Sequence, residues 1–283
     1  MKIIISAEST IDLSPELLKK YHISTIPFTV NLGERMGKDG EITPEDIFQY
    51  VDETGELPKT SAINEFEYSH YFKDLLKQYD AIIHISLSEK ISSAILSARK
   101  AASKLENVYV IDSRSLSTGI ALSAIYASQL VDKGYSPKEI VKKVESRTHK
   151  VQASFVVNTL SYLYKGGRCT GLQKFGAMLL RLKPQIVLKH GAMVPGKKYR
   201  GKSINCVDEY CRDTLGEFNN PDKSIVFITH THATEEMVEN CREWLKHEGF
   251  VNILETIAGA TITSHCGPKT IGILYINDGG VKD

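Results

Sequence analysis

The sequence lacks a CxxC pair and a GxSxG elbow. Its five cysteines (Cys169, Cys206, Cys211, Cys241, Cys266) are odd in number and scattered, which argues against a disulfide framework or a structural zinc site. Without the elbow's glycines, no serine sits in the strained turn that exposes a hydrolase nucleophile. Charge imbalance is missing too. Thirty-five Lys and Arg against 34 Asp and Glu leave +1, so no general attraction to nucleic acid or a membrane surface is expected. The most apolar stretch, 119–131, falls short of a membrane span and carries polar residues. The first apolar run, in MKIIISAEST, is interrupted by Glu8 and is too short for a signal peptide. A cytoplasmic protein without stable membrane insertion is the expectation.

What the sequence does hold is alternation of short apolar runs with amphipathic segments. Strands are predicted at 2–6, 23–32, 81–87 and 108–112. Helices open at Ser14-Pro15-Glu16 and Thr43-Pro44-Glu45-Asp46, each with a cap residue and a proline in the first turn. Further helices are predicted over 65–79, 91–104, 117–133 and 137–148. Continuous apolar strands alternating with helices imply a parallel sheet covered on both faces. The second half reads as strands at 151–157, 186–194, 224–230, 250–256 and 270–276, with a hairpin around His190-Gly191. Its helices fall near 159–165, 171–181, 204–216 and 234–247. The fold class is therefore two-domain α/β. An N-terminal three-layer α/β/α domain spans 1–149, and a C-terminal two-layer α/β domain with a mixed sheet spans 150–283.

Several polar turns are candidate sites. In IIHISLSEKISSAILSAR (82–99) an apolar strand gives way to serines and then to a helix. Helix N-termini beyond parallel strands hold anions, yet serine is also an ordinary cap, so holding and capping both stay open for Ser92. Thr60-Ser61 is either loop before a helix capped by Asn64 or a pair of hydroxyls facing the same crevice. Lys165-Gly166-Gly167-Arg168 is either a basic helix end or a close backbone approach beside an Arg that suits a carboxylate. His265 beside Cys266 lies in a turn before the last strand, as a ligand-bonding or a structural histidine. His230 and His232 share a strand face, but the third and fourth ligands of a metal site are not evident. Lys189 to Lys202 carries a local basic patch on the hairpin, a solvated face or a docking face for an acidic partner.

Taken together these residues resemble the DegV family. Glu8-Ser9-Thr10-Ile11-Asp12-Leu13 is similar to its DST-x-DL opening, and Lys59-Thr60-Ser61 to its K-T-S turn. The serine cluster falls where the family has S-x-G-x-S-G-T, and Val110-Ile111-Asp112-Ser113 fits its IDS segment. Lys165 to Arg168, Leu182-Lys183-Pro184, Lys198-Tyr199-Arg200 and Ser264-His265-Cys266-Gly267-Pro268 follow in order. The resemblance implies a bacterial carrier, not an enzyme, with no cofactor and one long-chain fatty acid in an interdomain tunnel. It assigns the carboxylate to Thr60, Ser92, Arg168 and His265. It also implies a separate fatty acid kinase that makes an acyl phosphate, met through the region around Arg200. Glu8 stands where the family has Asp. Glu89, Lys90, Ser93 and Ala94 replace Ser, Gly, Gly and Thr, and Lys269 interrupts a GxG. The alternatives are a regulatory protein sensing another small anionic or lipid ligand, and a transferase using His265.

Overall fold

The computed structural model describes residues 1–169, 171–172 and 182–280. Strands of the first half are β1 (Ile3–Glu8), β2 (Ile23–Ile26), β3 (Thr29–Leu32), β4 (Arg35–Lys38), β5 (Lys59–Ser61), β6 (Ala81–Ser86) and β7 (Val108–Asp112). Those of the second half are β8 (Val151–Val156), β9 (Lys183–Lys189), β10 (Ala192–Tyr199), β11 (Ile225–His230), β12 (Asn252–Ile257) and β13 (Ile271–Ile276). The helices are α1 (Pro15–Lys20), α2 (Pro44–Thr54), α3 (Glu65–Leu76), α4 (Ala94–Ala102), α5 (Thr118–Asp132), α6 (Pro137–Thr148), α7 (Ser161–Gly166), α8 (Ser203–Glu217), α9 (Glu235–His247) and α10 (Ala260–Cys266).

β2, β1, β6 and β7 form an all-parallel sheet in that order. Every residue of β6 is buried, as strands covered on both faces require. Helices α3 and α4 pack together as one covering layer, and α5 with α6 as the other. The second sheet has the order β10-β9-β8-β13-β11-β12; only β11 and β12 run parallel, so it is mixed. One face of it buries α8 and α9 around Tyr210, Phe250 and Tyr275. The other face lies on α5. Squeezed between two sheets, α5 is buried on nearly every side, which explains why 119–131 is the most apolar run in the chain.

The predicted strand over 23–32 is instead two. Pro27 fixes φ and has no N–H to give a ladder, so the chain breaks there. β2 joins the parallel sheet, while β3 crosses into a small antiparallel sheet of order β4-β3-β5. β4 and β5 have no apolar alternation to announce them, and Lys59-Thr60-Ser61, read as a turn, is the short edge strand β5. The hairpin at His190-Gly191 is present, with φ of 51° and 83°, the left-handed pair that a two-residue turn of this type needs. Its arms, 183–189 and 192–199, run longer than the predicted 186–194. Apart from Gly171 and Leu172, the helix predicted over 171–181 lies outside the described residues.

Candidate functional site

The parallel sheet reverses its winding between β1 and β6, since β2 lies to one side of β1 and β7 to the far side of β6. Such a switch point leaves a crevice beyond the C-terminal strand ends. Glu8, at the end of β1, closes its floor. Its carboxylate accepts from Tyr68 (2.7 Å), Ser86 (2.5 Å), the Leu87 N–H (2.9 Å) and His84 Nε2 (3.2 Å). Burial alone would raise this carboxyl, but His84 and the hydroxyl donors more than offset it and hold it below the usual range. His84 Nδ1 lies 2.7 Å from the Ser6 hydroxyl. Glu8 is thus a satisfied structural node with the strand-end serine Ser86 tied to it.

The next residues of the same motif hold a distant helix. Asp12 accepts from the Gly259 N–H (2.8 Å) and the Ser117 hydroxyl (2.5 Å). Asp39 accepts from Ala260 N (2.9 Å), Thr261 N (3.3 Å) and the Ser9 hydroxyl (2.9 Å). Two acids therefore fasten the start of α10 to the N-terminal domain, taking the orphan N–H groups that open any helix. Burial pushes the Asp12 carboxyl up to about 8 against the opposing Ser117 and Gly259 bonds, with Asp39 nearby adding to the rise. His265 was expected in a turn; it lies near the C-terminal end of this helix. Seven consecutive residues without proline, followed by Gly267 (φ 71°), let the helix form.

Anchored in this way, α10 brings His265 to Thr60 across 205 positions of chain: Nε2 lies 2.8 Å from the Thr60 hydroxyl. Gly166 is what allows α7 to come close, because a Cβ there would lie 2.8 Å from His265 Nδ1. Gly167 ends α7 at φ 67°, and Arg168 follows, exposed, donating to the Gly166 carbonyl at 2.5 Å. The paired glycines thus serve both readings given to them, a helix end and a close approach.

Thr60, Ser92, Arg168 and His265 all line one cavity of about 250 Å³. The rest of its wall is largely apolar, including Phe28, Leu87, Ile91, Leu116, Met193 and Ile262. Among the described lining residues Arg168 alone carries a formal charge. Burial and the adjacent Arg168 guanidinium depress His265 to about 4, so its imidazole is neutral near pH 7. Nδ1 is buried without a partner. Ser92 accepts from Ala94 N (3.2 Å), a local turn bond one residue ahead of the cap position, which is Ser93, and still has its proton to donate into the cavity. Ser88 is committed elsewhere, donating to the Gly191 carbonyl at 2.7 Å and so docking the β9–β10 hairpin on the serine turn. One lining residue escaped the sequence reading. Thr261 is buried in the cavity wall and its hydroxyl has no partner; standing four residues before His265, it shares that face of α10.

Residues 2–278 match the DegV family. The chain belongs to the DegV family. It is 31% identical over 284 residues to a fatty acid-binding protein of Thermotoga maritima, covering 96% of each chain. The structure superimposes on a DegV family protein from Thermus thermophilus, described for its fatty acid binding, with a TM-score of 0.88 and 28% identity, over 98% of this chain and 100% of the other. A stearic acid-binding protein from Eubacterium ventriosum gives 0.83 and 26%, over 96% and 97%.

The positions where this DegV chain departs from the family pattern differ in consequence. Lys90 and Ser93, in place of glycines, do not adopt positive φ; Ser93 sits at φ −79°. The turn therefore closes without the freedom only glycine has. Lys269 does adopt it, at φ 58°, where a side chain costs about 1–2 kcal/mol. Arg200 is exposed and follows β10, at the end opposite the hairpin turn; eight residues of strand put it roughly 25 Å from that turn. His230 pairs with Glu255 (3.2 Å) and accepts from Ala233 N, and His232 pairs with Glu45 (3.1 Å). Thr234 caps α9 through Met237 N. Among the described residues no cluster of His, Cys, Asp and Glu suits a metal ion, and no helix is long and apolar enough to cross a membrane.

Proposed function

We propose that this protein is a non-catalytic carrier that binds one long-chain fatty acid in the cavity lined by residues of both halves of the chain. The observation that carries this reading is the cavity's mixed lining. Hydroxyls, a neutral imidazole and a single cation stand in a wall whose other described residues are mostly apolar. The carboxylate is held by Thr60, Ser92, Arg168 and His265. A carboxylate needs donors, so the His265 tautomer that serves it carries hydrogen on Nε2. That N–H donates to Thr60, whose own proton then turns to the ligand. Each methylene of the tail contributes about 0.8 kcal/mol, so the tail sets affinity and the polar end sets orientation.

The exposure of Arg168 supports a carboxylate end that faces solvent, where a separate fatty acid kinase would reach it to form an acyl phosphate. Arg200, on the exposed far end of β10, is the residue through which that partner docks. A transferase using His265 fits less well, because an imidazole held near 4 is a weak base at neutral pH. Native mass spectrometry of protein purified from bacteria is expected to show an acyl carboxylate adduct, removed by organic extraction and restored by adding the acid. Thr60→Ala with Ser92→Ala is expected to lower affinity about tenfold or more, two hydrogen bonds to a charged group being lost. Extracted protein that ignores added long-chain acids would overturn the reading.

A further inference from the structure

The two edges of the mixed sheet are built differently. At β10, Pro195, a bulge between Pro195 and Lys198, and the exposed Lys197 and Lys198 supply the usual protections against another strand pairing there. β12 has none of them. Its sequence, NILETI, holds no lysine or proline, its register with β11 is regular, and β11 is its one strand partner among the described residues. Among the described residues from 182 onward, two large apolar side chains are exposed. They are Ile257 (52%), at the end of β12, and Val251 (77%), just before its start.

The backbone of this edge is open as well. Ala258 donates its N–H to the His230 carbonyl of β11 at 2.9 Å, whereas Gly259 turns its own away, to Asp12. Alternation along the strand therefore directs the N–H and C=O groups of Ile253, Glu255 and Ile257 away from β11. Glu255 and Ile257 also line a groove of about 730 Å³ against the N-terminal half, with Pro15 and Leu18 on its far wall. The titratable groups of its described wall are the carboxyls of Asp12, Asp39 and Glu255; no Lys, Arg or His lines it.

We propose that β12 pairs antiparallel with β12 of a second copy of this chain, about a two-fold axis at Leu254. In that register Ile253 stands opposite Glu255 of the second copy, and their outward N–H and C=O groups exchange hydrogen bonds. Val251 stands opposite Ile257, so the two exposed apolar groups cover each other at both ends of the ladder. A register that set Glu255 against Glu255 would bring like charges together. The antiparallel direction also carries the segment before Val251, with Lys246 and His247 in the last turn of α9, toward the acid-lined groove of the other copy. That charge complementarity, together with the matched apolar pair, assigns the edge to a second copy. The pairing is independent of the fatty-acid reading.

Sedimentation velocity from about 1 to about 100 μM, a span that brackets micromolar dimers, is expected to show a monomer–dimer equilibrium for the native protein. Ile257→Lys and Val251→Lys should each weaken it about a hundredfold or more, because the two-fold axis repeats every substitution. Both side chains are exposed, so the variants should fold. Met36→Lys, at an exposed apolar residue of β4, is the control expected to leave the dimer intact. Amide exchange at Ile253 and Glu255 should slow as the native protein is concentrated. A dimer that survives Ile257→Lys, that is lost equally in Met36→Lys, or that leaves those two amides unprotected overturns the proposal. Native protein that stays monomeric throughout also overturns it, and points to a strand from another protein as the cover for β12.

Discussion

Two histidines define two kinds of interior in this protein. His84 is fully buried under the switch point, and both its nitrogens are engaged, by Ser6 and by Glu8. His265 meets Thr60 with one nitrogen and has no partner for the other. Around His84, hydroxyls and a backbone N–H converge on one carboxylate, and nothing more is needed. Around His265, donors converge on open space beside a cation. A completed polar network rigidifies a fold, whereas an incomplete one is tolerated where a ligand completes it.

The comparison is broken most severely at Glu8. Glu8→Ala leaves His84, Ser86, Tyr68 and the Leu87 N–H without their common acceptor. A loss of about 3–5 kcal/mol in denaturant unfolding is expected, as for other broken buried pairs. His265→Ala should do the reverse. Stability is expected to change by less than about 1 kcal/mol, while affinity for a long-chain acid falls about tenfold, because Thr60 loses the N–H that turns its own proton to the ligand. Equal stability losses in the two variants would erase the distinction between node and site.

The sequence showed the parallel sheet because its strands are buried on both faces and read as continuous apolar runs, and it showed the caps because Ser-Pro and Thr-Pro carry local chemistry. Thr60, Ser92, Arg168 and His265 were named from a resemblance, and all four line one cavity. The residues themselves left each of them balanced between a site and an ordinary turn. What could not be read was anything made by chain crossings. β4 and β5 are held by neighbours, not by their own pattern. Asp12 stands in the motif similar to DST-x-DL and Asp39 in none, and neither showed that they hold a helix from 247 and 221 positions away. Thr261 gave no local sign, since its importance comes only from where α10 is fastened.

The two ends of α10 should also titrate in opposite senses. His265 is near 4 folded and 6.5 as a free side chain, so the unfolded chain takes up the proton first. Stability from this group is present above 6.5 and lost as pH falls toward 4. Asp12 is near 8 folded against 3.8 free, so the folded protein keeps the proton. That contribution is full below 3.8 and is lost as pH rises toward 8. Each slope approaches about 1.4 kcal/mol per pH unit at most. Unfolding followed from pH 4 to 8 should show the alkaline loss disappear in Asp12→Asn and the acid loss diminish in His265→Gln. A bound carboxylate should raise the His265 titration seen by NMR.

The smallest expected effect separates ligand contact from packing most cleanly. Thr261→Val removes a buried hydroxyl that has no partner and keeps the side chain's shape. A hydroxyl of that kind contributes nothing to the empty protein and carries a desolvation cost, so stability should hold or rise slightly. If Thr261 donates to the acid beside His265, affinity should nevertheless fall by about threefold, the worth of a modest hydrogen bond. A Val variant that is more stable and binds equally well would place Thr261 with the scaffold as an unsatisfied group of no use to the ligand. One that is more stable and binds more weakly would show that α10 keeps a polar atom unpaired for the acid's sake.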